Sequence, residues 1–147
     1  MRYLSAGRPL LALLLALMLA ANGIAMLANP QSWYLGVPGV AATGPLNLHF
    51  VRDIGCAFLV AAGGLLWLQL DARAWPAAIA GSAFLALHAL VHAGEMAFIH
   101  FDLQHLLRDL PGVFLPPVIA LWLSWPRPVL KEKNHAQMDR TAASRRV

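Results

Sequence analysis

Four apolar stretches set the pattern of this chain. They cover residues 9–28, 49–70, 76–99 and about 107–125. Each approaches the ~20 residues that a helix needs to cross a hydrocarbon core. The second and third are separated only by residues 71–76 (DARAWP), room enough for a tight antiparallel hairpin. The pattern predicts an all-α fold, a four-helix transmembrane bundle in one domain spanning residues 1–126.

The polar positions divide these stretches. Residues 29–48 (NPQSWYLGVPGVAATGPLNL) carry Pro30, Pro38, Pro45, Gly36, Gly39 and Gly44. They predict a long structured loop rather than a continued helix, with Trp33 and Tyr34 as interfacial anchors and Asn47 as the cap of the second span. Residues 100–110 (HFDLQHLLRDL) predict a short interfacial helix before the fourth span. Asp102 caps it, and Leu103, Leu106, Leu107 and Leu110 form its apolar stripe. Pro116-Pro117 predicts a bent or irregular start to that span. Residues 127–147 are polar and basic and read as a disordered tail.

Composition places this pattern in a bilayer. The chain is 59% hydrophobic and 12% charged, about half the charged share of an ordinary soluble domain. Arg2 and Arg8 ahead of the first stretch resemble a signal-peptide start. That stretch is longer than a usual signal core and no small-residue pair closes it, so it is expected to be a retained span. The net charge of +4 does not point to nucleic acid, because the basic residues flank apolar spans. Arg2, Arg8, Arg73 and the six basic residues of the tail make nine of the eleven Lys and Arg. By the positive-inside rule both termini are then cytoplasmic, in the inner membrane if the cell has two. Cys56 is the single cysteine, so no disulfide within the chain and no cysteine-built metal site is possible. It reads as a packing residue, and Asn22 as a helix–helix hydrogen bond.

The chemistry concentrates in residues 88–109, which hold four of the six histidines. His88, His92 and Glu95 follow at i, i+4 and i+7, within roughly a 60° arc of one helix face. In the second span His49, Arg52, Asp53 and Cys56 share a face in the same way. The hairpin of spans two and three brings the two faces level at the outer end. His88, His92, Glu95, His49 and Asp53 are therefore the expected ligands of a transition metal such as zinc, iron or copper. Two other readings stay open. One is a purely structural polar network. The other is a haem or quinone pocket, for which His49 and His92 are the best-placed histidine pair. His100 and His105 could also complete such a site, but they are expected in a loop and stand behind these five.

HFVRDIG (49–55) and HLLRDLPG (105–112) repeat one pattern, each at the start of an outside-to-inside span. The repeat predicts reciprocal ion pairs, Arg52 with Asp109 and Arg108 with Asp53. The four-span layout, the size and the extended first loop resemble small bacterial DoxX-like membrane proteins. Some of those are accessory subunits of quinone-linked oxidoreductases, so the resemblance implies a non-catalytic accessory role beside another membrane subunit or a second copy of the chain. The alternative is a metal-dependent membrane enzyme or redox subunit.

Overall fold

The computed structural model describes residues 3–98 and 102–126. The helices are α1 (Tyr3–Ala28), α2 (Pro30–Gly36), α3 (Leu48–Leu70), α4 (Trp75–Phe98), α5 (Leu103–Asp109) and α6 (Leu115–Ser124). Among the described residues there is no strand. Among the described residues, four helical segments are long and apolar enough to cross a membrane: Gly7–Ala28, Leu48–Leu70, Ala72–Phe98 and Leu103–Ser124. Each of the four lies within four residues of its expected stretch at both ends. The tail lies outside the described residues, as does His100.

Short polar side chains start the helices. Asn47 accepts from the His49 and Phe50 amides at 3.1 Å each, Asn29 from Ser32, and Asp102 from Gln104. Each satisfies backbone donors that a helix start leaves without partners. The first loop is folded on itself. After α2, a 3-10 turn (Val40–Ala42) follows Gly39, whose φ of 87° lies in the left-handed region. The Tyr34 hydroxyl donates to the Ala41 and Gly44 carbonyls, and the Trp33 indole donates to Asn22 at 2.9 Å. Asn22 thus makes a helix–helix bond as expected, to the short helix α2 that opens the first loop.

Close backbone approach builds the bundle. α1 packs on α3, α3 on α4 and α4 on α6. At the first seam Gly23 and Gly55 face each other, and a β-carbon on Gly23 would stand 2.7 Å from the Gly55 carbonyl oxygen. At the second, a β-carbon on Gly81 would stand 2.6 Å from the Ala61 Cα, and one on Gly64 2.8 Å from the Ala77 carbonyl. Small residues at crossings are how helices associate where lipid offers no hydrophobic driving force. Of the Gly63-Gly64 pair only Gly64 faces a neighbour; Gly63 has open space. Leu15, Leu19, Met26, Leu65 and Leu85 fill the centre, while Leu10, Leu14, Leu17, Val60, Leu87, Leu90 and Val118 face outward, as a lipid-facing surface requires.

The end opposite the first loop is closed by Arg8. Its guanidinium donates to the Trp122 and Leu123 carbonyls at 2.8 and 2.6 Å and lies 4.9 Å from the Trp122 ring centroid. These are the orphan acceptors of the α6 C-terminus, where a cation is favoured. In the α4–α6 seam the buried Ser82 hydroxyl donates to the Ala78 carbonyl at 2.8 Å. With that proton used, Ser124 is the donor of the 3.0 Å bond to Ser82.

The fourth span departs from expectation. The leucine-rich stretch is helical, as read, but it is not a separate interfacial helix: it runs into α6 through a π turn, Leu110–Phe114. There the Leu115 amide bonds to the Leu110 carbonyl, five residues back. The reason lies in the prolines. Pro111, Pro116 and Pro117 have no amide to offer and their rings press on the preceding turn. A wider π turn accommodates one extra residue and keeps the helix going. Its backbone stays right-handed throughout, from Asp109 (φ −80°) to Leu115 (φ −69°).

Candidate metal centre

The π turn sets the rotation of α5 relative to α6, and so where α5 aims its side chains. His105 and Asp109, at i and i+4, share one face of α5 and point at α4. Across the gap His92 comes from the last turns of α4. His92 Nδ1 lies 2.9 Å and His105 Nε2 3.0 Å from the same carboxylate oxygen, Asp109 Oδ2. The other oxygen, Oδ1, accepts from Arg108 Nε at 3.1 Å. One donor atom from each of His92, His105 and Asp109 lies within 4.8 Å of the others.

Burial distinguishes this group from its sequence counterpart. The side chains of His92, His105 and Asp109 are 20%, 31% and 8% exposed. His49 and Asp53 carry the same i, i+4 spacing, and His49 Nε2 stands 3.4 Å from Asp53 Oδ2, but those side chains are 88% and 57% exposed. An ionised carboxylate is an acceptor only, so the 2.9 Å bond places a proton on His92 Nδ1. A metal taking Nδ1 would move that proton to Nε2, leaving the ring neutral.

Aromatic packing holds His92 in place. The His88 ring meets it edge-on at 4.8 Å between centroids. His88 in turn stacks on Phe84 at 6.2 Å and meets Phe58 edge-on at 6.1 Å. His88 is therefore a buttress one turn deeper, not a member of the converging group.

The expected ligand set is thus divided. His92 is in the group. His88 supports it. Glu95 is exposed, and His49 and Asp53 pair with each other at the exposed start of α3. The expected pairs Arg52–Asp109 and Arg108–Asp53 are not among the ion pairs of the described residues. Asp109 is taken by Arg108, His92 and His105, and Arg52 is exposed. The physical reason is adjacency: Arg108 reaches the neighbouring carboxylate without crossing the bundle. Nor do His49 and His92 face each other as a haem would need, since each is turned to a different aspartate. Cys56 is exposed rather than packed.

His105 and Asp109 are the members of this group that the reading of the chain set behind the other histidines or gave to an ion pair. The signal was present in the repeat itself, whose two copies both hold His and Asp at i, i+4. The connection from α4 to α5 is short, so the start of α5 must sit level with the end of α4.

Chemically, two imidazoles and one carboxylate suit zinc or another borderline divalent ion. Donors around a tetrahedral zinc stand about 3.3 Å apart when the bonds are ~2.0–2.1 Å. The two His–Asp separations, 2.9 and 3.0 Å, would open by a few tenths of an ångström, and the two imidazole nitrogens, within 4.8 Å of each other, would have to turn toward the same ion. Three protein donors leave a fourth position for water or another ligand. No family model, curated protein or solved structure matches the chain.

Proposed function

We propose that the chain is a four-span protein of the inner membrane, with both termini cytoplasmic, that holds a divalent transition metal at the outer end of its bundle. Four apolar helices support residence in the bilayer, and the Lys and Arg distribution supports the orientation. The observation that carries the metal reading is the convergence of His92, His105 and Asp109 from two different helices. Polar groups at a bundle's end are readily accommodated, but three ligand-type donors aimed at one point from α4 and α5 form a built site. The metal sits beside Arg108 and beneath the folded first loop, in a role of binding rather than turnover. The resemblance of the layout to DoxX-like proteins supports an accessory role next to another membrane subunit.

Calorimetric titration of chelator-treated, detergent-purified protein with zinc tests this. One ion per chain is expected, with Asp109→Ala and His105→Ala each abolishing binding and His49→Ala leaving it intact. Absence of stoichiometric binding, or binding that survives both substitutions and fails in His49→Ala, overturns the site.

A further inference from the structure

One residue of the site also touches the first loop. Arg108 donates from Nε to Asp109 Oδ1, and its guanidinium lies against Gly39. A β-carbon on Gly39 would stand 2.6 Å from Arg108 Nη1 and 2.8 Å from Nε, so any other residue there displaces the guanidinium from its present position. Gly39 also has a φ of 87°, which glycine adopts without strain. The turn that follows is held by the Ala42 amide to Gly39 and the Thr43 amide to Val40, at 3.1 and 3.0 Å. The loop is thus seated on an arginine that is itself seated on a metal ligand.

We infer that the loop is a metal-responsive latch, released when the site fills; this rests on the metal reading above. Without metal, Asp109 carries the negative charge and Arg108 is its permanent cation. The two histidines are the other groups that face the carboxylate. A divalent ion on Oδ2, with two neutral imidazoles, turns that centre from net negative to net positive. Arg108, whose side chain is 38% exposed, then faces a like charge at close range across a carboxylate that is itself only 8% exposed. The guanidinium swings away, and the Gly39 turn loses the surface it rests on. Linkage makes the effect reciprocal: if zinc weakens the latch, weakening the latch must strengthen zinc binding by the same factor.

Hydrogen exchange of the full chain in detergent, read at the Val40, Ala42 and Thr43 amides with and without saturating zinc, tests the latch. Zinc is expected to speed exchange there several-fold while the α1–α3 seam is unchanged. Arg108→Gln is expected to bind zinc roughly tenfold more tightly, a typical coupling between linked sites, and to exchange fast in the loop whether or not zinc is present. Gly39→Ala, which displaces the guanidinium but keeps its charge, is expected to do both in the same direction. If zinc binds but the loop amides keep or lower their rates, the latch is wrong and the metal site stands. Weaker zinc binding in Arg108→Gln likewise overturns the latch, because Arg108 would then be orienting Asp109 for the metal. If the native chain binds no zinc, both fall.

Discussion

Asp109→Asn is the substitution whose cost the structure makes easiest to work out. The carboxylate is 8% exposed and accepts from Arg108 at 3.1 Å and His92 at 2.9 Å, with His105 at 3.0 Å. An asparagine keeps one acceptor oxygen for Arg108 and turns its NH2 group toward the two imidazole nitrogens, which must shift their protons to accept from it. The charge-assisted hydrogen bonds become neutral ones, a loss of about 1.5–3 kcal/mol. The partner side chains are 20%, 31% and 38% exposed and recover some solvation, so the expected loss is about 1–3 kcal/mol rather than the larger cost of orphaning a fully buried charge. Asp53→Asn is the internal control. It breaks the same i, i+4 His–Asp spacing at a site 88% and 57% exposed, and solvent screening there holds the loss within about 0.5 kcal/mol. Reversible unfolding of metal-free protein in mixed micelles, followed by tryptophan fluorescence, reads both variants. Equal effects, or a loss below about 0.5 kcal/mol for Asp109→Asn, would refute the argument that burial separates the two halves of the repeat.

Further consequences are open to direct measurement. Deleting Val113 removes the extra residue of the π turn and rotates α5 by roughly 100° against α6, so zinc binding should vanish while thermal unfolding of the bundle persists; retained zinc affinity would show that the π turn does not set the site. Gly81→Ala meets the Ala61 backbone and Gly63→Ala meets nothing, so the first should lower the unfolding midpoint by several degrees and the second leave it unchanged or raise it. Arg8→Ala removes two bonds to the α6 terminal carbonyls and the stacking on Trp122, with an expected loss of about 1–3 kcal/mol in the same unfolding assay.

The spans were legible because hydrophobic length is a strong constraint in a bilayer, and the caps at Asn47 and Asp102 because short polar side chains at helix starts have few other uses. The rotation of the fourth span was not legible. Pro111, Pro116 and Pro117 signal an interruption, but whether that is a bend, a loop or a π turn depends on the neighbours that accept the displaced carbonyls. That one rotation separates an interfacial His105 from one that converges on Asp109. The Arg–Asp repeat shows the same limit. Its pattern was readable, but Arg108 and Asp109 meet each other, a choice made by the geometry of one helical turn. His88 and His92, adjacent on one face, looked equivalent in sequence and differ because Phe58 and Phe84 hold the deeper ring.

Zinc-edge X-ray absorption on the loaded, purified protein tests the central claim most directly. The account predicts a first shell of two imidazole nitrogens and one or two oxygens at ~2.0–2.2 Å, with one imidazole lost in His92→Ala and one in His105→Ala. A shell with no imidazole scattering, or one unchanged by both substitutions, would contradict it.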